Sequence, residues 1–336
     1  IMHNGVSFDA PVLNKLVGTH IKVSDVIDTL ILSQLYNPIR PAGHSLAAWG
    51  ERLGLSKGDH NEFNIFTQEM LNYCKQDVRV THKLMHELER EGKGFSPASV
   101  RLEHNIRAIL DQQQDTGFAL DVPYTTTLMG KLEDEADQIE RELQEIFKPI
   151  IEKRISEKTG KRLKDRIEIF NPASRKQIAS RLMERGWEPS HKTEKGNIVV
   201  DEKILSEIDL PEAKQISHYL LLQKRVSQIR SWLEACTDGR VHGTVMTLKT
   251  ITSRMAHSSP NMAQIPASYS PYGSECRTCW TVDNPETHSL VGTDASSLEL
   301  RALAHYINHD AFTTEVIDGD IHTANQKMAG LDTRDQ

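Results

Sequence analysis

The sequence predicts a multidomain protein of α/β and α+β character: an α-rich α/β piece, then an all-helical piece, then a second α/β piece. Three observations predict it. Apolar residues recur at spacings of three and four through several long stretches between residues 67 and 236. Glycine interrupts that periodicity at Gly92-Lys93-Gly94 and again at Asp238-Gly239. Beyond Gly239 the texture changes to short alternating or apolar runs separated by Ser, Pro, Asn and Thr.

The elements follow in order. Phe8–Val17 and Ser45–Leu53 read as short helices. Thr67–Glu91 reads as a long one, because Met70, Leu71, Cys74, Val78, Leu84, Met85 and Leu88 share a face. Residues 97–116 form a helix stopped by Gly117, and Asp121 caps a polar helix that carries Pro123 in its first turn and runs to about Phe147. Ser174–Arg185 is a helix closed by Gly186, and Pro211 opens a long helix to about Cys236. Val241–Leu248 alternates like a strand, residues 258–288 read as loop, Ser289–Thr293 reads as a short apolar strand, and Leu298–Tyr306 and His322–Ala329 read as helices. The boundaries predicted are 1–92, 93–238 and 239–336. Ile1 reads as an interior residue, with a further part of the protein expected upstream.

Composition narrows the function classes. No apolar run approaches the roughly 18–20 residues that cross a bilayer, and the opening residues lack a signal-peptide pattern. Four cysteines are too few for a disulfide scaffold of this size, so a reducing, cytoplasmic setting is expected. Cys276 and Cys279 form a lone Cys-x-x-Cys without a second ligand pair and read as two ordinary cysteines near a strand. The net charge is −7, yet residues 148–195 carry 14 Lys and Arg against 7 Asp and Glu. A basic segment on an acidic body suits a protein that grips phosphate in one place and holds carboxylates for metal in another, although a solvated loop region has the same charge.

Two carboxylates stand out early. Asp9 closes His3-Asn4-Gly5-Val6-Ser7-Phe8-Asp9 at the entry to a helix, and Tyr73 and Asp77 lie four residues apart, on one helical face. Hydrolysis of a phosphodiester by two metal ions needs clustered carboxylates and a group that orients water. Taken singly, each pattern also fits an ordinary solvated side chain. Further on, an apolar run leads straight into Asp294, followed by Ala295, Glu299 and Arg301 and later by Gly319-Asp320-Ile321-His322. A carboxylate at a strand end is held rigidly where a cation can reach it. The plainer alternative is a helix N-cap.

These blocks together resemble family A DNA polymerases. HNGVSFDAPVL and YCKQDVRVT resemble the second and third motifs of DnaQ-type 3′→5′ exonucleases, which are RNase H-like. SRMAHSSPNMAQIP (Ser253–Pro266) resembles the family's T-G-R-x-x-x-x-x-P-N-L-Q-N/Q-I-P block, and DASSLELR followed by GDIHT resembles its motif A and sequel. Through SPYGSECR and HSLAAWGERLG the likeness is nearest to the T-odd phage replicases. The resemblance implies a partial exonuclease domain (1–92), a helical linker and thumb (93–238) and the first part of a polymerase palm (239–336). It implies that Asp9 and Asp77 bind metal, that Tyr73 positions the attacking water, and that Asn4 meets the single-stranded primer end. Asp294 and the Ala295 carbonyl would hold the polymerase metals, Glu299 would lie under the nucleotide sugar, and His322 and Arg334 would contact the triphosphate. Arg254 and Gln264 would touch the primer–template duplex from its minor groove.

The implied activity is DNA-directed DNA synthesis with 3′→5′ proofreading in phage-type replication. The implied cofactor is Mg2+, two ions per site, with Mn2+ as an alternative. The implied partners are primer–template DNA and dNTPs, with a replisome helicase or primase as a further candidate and no membrane. The first exonuclease motif and the later polymerase motifs are absent from these residues, so this chain alone is expected to have little or no activity. The interval from Phe147 to Asn171 is too short for the insertion that recruits thioredoxin, so a thioredoxin partner is not expected; its basic residues Lys158, Lys161, Arg162, Lys164 and Arg166 could grip duplex backbone instead. Competing readings are a stand-alone DnaQ-like exonuclease, which leaves the block after 289 without purpose, and a non-catalytic DNA-binding derivative of a polymerase.

Overall fold

A computed structural model describes residues 1–332 except Lys57, Asp59, Ser156, Glu157 and Thr159. Its described residues divide into two compact units, Ile1–Asn284 and the residues from Pro285 onward.

The first unit opens with α1 (Asp9–Val17), α2 (Thr29–Tyr36), α3 (Leu46–Arg52) and the long α4 (Gln68–Glu91), followed by α5 (Pro97–Thr116). Side-chain caps start these helices as their sequences suggest: Asp28, Ser45, Thr67 and Ser96 each accept a backbone N–H from the first turn. Leu32, Trp49, Leu84 and Leu88 form one small core between α2, α3 and α4. Val6, Ala10, Val26, Ile31 and the distant Leu248 form another. Extended structure ahead of α2 is limited to one parallel bridge between Met2 and Asp28.

The main core lies further along. A short strand β1 (Phe118–Leu120) leads into α6 (Val122–Ile146), a two-stranded hairpin β2 (Ile150–Glu152) and β3 (Arg166–Glu168), then α7 (Arg175–Glu184), α8 (Glu202–Glu207) and α9 (Pro211–Glu234). Leu128, Leu132, Ala136, Ile139 and Leu143 on α6 face Ile216, Tyr219, Leu222, Val226, Ile229 and Trp232 on α9, each set at steps of three and four, so the two helices pack along their length. Phe147 and Phe170 meet at 4.6 Å between ring centroids and seal the end of that core.

After α9 come β4 (Cys236–Thr237), β5 (Arg240–Val241), β6 (Thr244–Met246), β7 (Ala256–Ser258), α10 (Gly273–Thr278) and β8 (Trp280–Thr281). Strands β4, β5, β1 and β8 form one sheet in that order, antiparallel where paired, with Phe118 opposite Val241 and Leu120 opposite Trp280. This sheet ties the residue-117 turn to the chain end of the unit. Gly117 sits at φ 65°, and a Cβ there would lie 2.8 Å from the His242 Nδ1, so only glycine fits. Cys276 and Cys279 are fully buried in the main core, and burial, helped by each other's proximity, pushes the Cys276 thiol up to about 11. They are packing residues beside β8.

The second unit holds α11 (Leu298–Ile307), α12 (Asp310–Asp318) and α13 (Ile321–Met328) around Ala304, Val316 and Ile321.

Most expected helices are present, with ends within one or two residues. Three expectations are corrected. Ser289–Thr293 is not a strand: its backbone pairs with nothing among the described residues, and Val291 is 86% exposed. A lone strand cannot satisfy its N–H and C=O groups, so an apolar run without a partner stays irregular. Val241–Leu248 is broken at His242-Gly243 into β5 and β6, which belong to different sheets. Residues 258–288 carry α10 and β8 as well as loop.

Candidate functional site

Two carboxylates 68 positions apart in sequence meet in one cleft. A cavity of about 440 Å³ is lined by His3, Asp9, Cys74, Asp77, Thr81 and His82 among others. Asp77 and its neighbours come from one face of α4, at positions 74, 77, 81 and 82. Asp9 comes from the first turn of α1, where the helix N-terminus favours a negative charge.

The loop that aims Asp9 is held by a residue that periodicity did not single out. Asp28 is only 1% exposed. Its carboxylate accepts the backbone N–H groups of Asn4 (2.9 Å), Val6 (3.1 Å) and Leu30 (2.9 Å). The Asp28 N–H donates in turn to Nε2 of buried His104 (2.9 Å), whose Nδ1 lies 2.8 Å from the Val100 carbonyl. That pairing places the ring proton on Nδ1. Gly5 is required here, since a Cβ would fall 2.2 Å from the Met2 Cβ. Asn4 is exposed at φ 65°, a conformation Asn tolerates.

Burial raises the Asp9 carboxyl above the ordinary carboxylate range; its own backbone hydrogen bond opposes the shift, and the nearby charge of Asp28 adds to it. Excess negative charge in a partly desolvated cleft suits a divalent cation. Among the described residues no group of three or more His, Cys, Asp or Glu side chains is clustered to hold a metal; the cleft brings two carboxylates, Asp9 and Asp77, to one cavity. Tyr73 is half-buried one turn before Asp77 and packs with His60 and Phe63, ring centroids 5.8 and 6.0 Å away.

The block from 253 to 266 forms the loop and outgoing strand of a hairpin, then a 3-10 turn at Met262–Gln264. Thr250 braces the hairpin loop by accepting the Arg254 N–H at 2.9 Å. The Gln264 carbonyl accepts from Gln228 on α9 at 2.9 Å, and Pro266 O accepts from Arg277 at 2.8 Å. Backbone carbonyls thus anchor the block, while the Arg254 and Gln264 residues are exposed.

In the second unit Asp294 and Ala295 lie in an exposed irregular segment, and Glu299 is exposed in the first turn of α11. His322 is exposed in the first turn of α13. Asp320 caps that helix, accepting from the His322 N–H at 3.2 Å, the Thr323 N–H at 3.3 Å and the Thr323 hydroxyl at 2.8 Å. Arg334 lies outside the described residues. Among the described residues no group of three or more His, Cys, Asp or Glu side chains that could hold a metal includes Asp294.

Sequence reasoning found Asp9 and Asp77 but missed Asp28, His104 and the cleft positions Thr81 and His82. Asp28 could have been suspected as an N-cap ahead of Thr29-Leu30-Ile31-Leu32. Thr81 falls on the Cys74–Asp77 face by helical spacing alone, and His82 lies one turn after Val78.

Similarity to known proteins follows the same lines. The family model for DNA polymerase family A matches residues 133–334. The DNA-directed DNA polymerase of Escherichia phage T7 is 29% identical over an alignment covering 100% of this chain and 66% of the relative. DNA polymerase I of Rhizobium leguminosarum is 25% identical, with 83% of this chain and 26% of that protein covered. The POL domain of Pol1 from M. smegmatis, solved in complex with DNA primer-template and dNTP, matches with a TM-score of 0.68 at 17% identity, covering 92% of this chain and 50% of that one. At that identity the likeness is one of fold. The chain thus spans 66% of the phage relative's length. With a match running over more than half of its residues, the chain belongs to DNA polymerase family A.

Proposed function

We propose that this chain serves template-directed DNA synthesis, binding primer–template DNA and dNTPs, with a 3′→5′ proofreading site at the acidic cleft. The observation that carries the reading is the family match over residues 133–334, which spans Arg254, Gln264, Asp294, Glu299, His322 and Arg334. In this reading residues 1–92 belong to an RNase H-like exonuclease domain, 93–238 to a linker and thumb, and 239–336 to the start of a palm. A cytoplasmic setting, as in a bacterial or phage-infected cell, goes with it. Among the described residues no helix is long and apolar enough to cross a membrane.

Each side chain has a task. The exposed Arg254, carried on a braced loop, and Gln264, in the 3-10 turn that follows the hairpin, reach minor-groove acceptors that vary little with sequence, as an enzyme copying every sequence requires. Glu299 packs beneath the nucleotide sugar. His322, presented by a capped helix start, and Arg334 meet triphosphate oxygens. At the cleft, Asp9 and Asp77 would hold a divalent ion, Mg2+ by preference, and Tyr73 would orient a water. When bound, the ion supplies Lewis acidity toward the phosphodiester. Asp294 with the Ala295 carbonyl is the proposed polymerase metal anchor. The basic hairpin β2–β3 occupies the interval between α6 and α7, where we place phosphate grip and no thioredoxin contact.

The test is primer extension. In a polymerase containing this chain, Asp294→Asn lowers nucleotide incorporation by about 10³-fold, the order expected for removing one preorganised electrostatic group. Primer–template affinity stays near wild type. Undiminished incorporation would overturn the assignment.

A further inference from the structure

The cleft loop and the Arg254 hairpin are joined by a polar chain through α5. The Ser7 hydroxyl donates to Asp111 Oδ2 at 2.8 Å. The other Asp111 oxygen pairs with the Arg107 guanidinium one turn earlier on α5. Arg107 Nη1 then donates to the Val245 carbonyl at 2.6 Å. Val245 is the middle residue of β6, opposite His257 of β7. A second link runs alongside: Leu248, just past β6, is buried in one apolar cluster with Val6 and Ala10 of the cleft loop and α1, and Ala108 of α5 packs against it.

Both ends of this chain carry proposed DNA-contacting groups. Asn4 and Asp9 flank Ser7, and Arg254 sits in the loop that β6 and β7 close. The Arg107 side chain is only 11% exposed, and its Nε is buried without a hydrogen-bond partner.

We propose that Arg107 and Asp111 are positioning residues that couple the acidic cleft to the duplex-binding hairpin, so that a single-stranded end held in the cleft tightens the hairpin. The functional half of this statement rests on the proposed reading of the cleft; the mechanical half does not. Coupling carried this way needs one element that both sites bias, and α5 is that element, because it receives Ser7 at one position and grips β6 from the preceding turn.

Hydrogen exchange read by mass spectrometry on the 336-residue chain decides it. Ser7→Ala removes a hydrogen bond to Asp111 and none to the hairpin. Exchange across residues 244–258 nevertheless speeds up by about fivefold, the factor that one such hydrogen bond supplies. Unchanged hairpin exchange overturns the mechanical link. In the second arm a thymidine oligonucleotide with Mn2+ is added. Protection at residues 2–9 is accompanied by protection at 244–258 in the wild type, and the second effect disappears in Asp111→Asn. Protection of 2–9 alone in the wild type overturns the coupling. Protection of neither segment sinks the DNA reading of the cleft and with it the functional half of the proposal, leaving the mechanical link to stand or fall on Ser7→Ala.

Discussion

Asp28→Ala lowers the unfolding free energy by roughly 3 kcal/mol, the scale of losing several hydrogen bonds to one buried charged acceptor. The carboxylate serves three backbone N–H groups at once, two in the cleft loop and one in the first turn of α2. Alanine leaves all three without their acceptor in a site that is 1% exposed. Urea unfolding measures the loss. Asp28→Asn recovers part of it, because the amide keeps one acceptor oxygen. A variant as stable as wild type would show that the loop is held by something other than this side chain.

Asp9→Asn has opposite effects with and without metal. Burial and the Asp28 charge raise the Asp9 carboxyl, so the folded chain binds that proton more tightly than the unfolded chain does. The associated stability is present at low pH and is lost as pH rises through the ordinary carboxylate range to the raised value. At pH 7 Asp9 therefore strains the fold, and Asp9→Asn melts higher than wild type when no divalent ion is present, a common trade at functional carboxylates. Adding Mn2+ reverses the order. At a hundredfold excess over Kd, mass action adds about 2.7 kcal/mol to wild type and nothing to a variant that cannot bind. Asp77→Asn loses the same gain. Differential scanning calorimetry reads both effects, and equal Mn2+ stabilisation of all three proteins would remove the metal role from the cleft.

Much of the helical architecture was legible because the relevant signals are local. Asp121 caps α6 and Thr67 caps α4 at positions visible in sequence, and the apolar stripes of α6 and α9 are buried in the main core; on α4 only Leu84 and Leu88 of the expected face are buried, together with Val80, while Val78 is 68% exposed because the N-terminal half of that face lines the open cleft. The strand expected at Ser289–Thr293 was not legible, because its status depends on a pairing partner that no local spacing encodes. The same holds for β1, three residues long, which is defined by Val241 and Trp280 from far along the chain. At the cleft the candidate ligands were readable as residue types, but their meeting was not. Nothing in the spacing of Asp9 and Asp77 says that α1 and α4 share a cavity. Asp28 and His104 were silent for a related reason: their importance lies in burial and in backbone groups they satisfy, and sequence shows neither.

The proposed grip on primer–template DNA is independent of sequence. Its most direct test is a fluorescence-anisotropy titration of primer–template duplexes of several sequences over a range of salt. The expected result is similar affinity for every sequence, with log K falling linearly against log salt. Reversing the charges of Lys158, Lys161, Arg162, Lys164 and Arg166 should flatten that line by roughly 0.9 for each phosphate no longer neutralised, and Arg254→Ala with Gln264→Ala should weaken every duplex alike. Strong preference for one sequence, or a salt slope and affinity untouched by all of these substitutions, would contradict it.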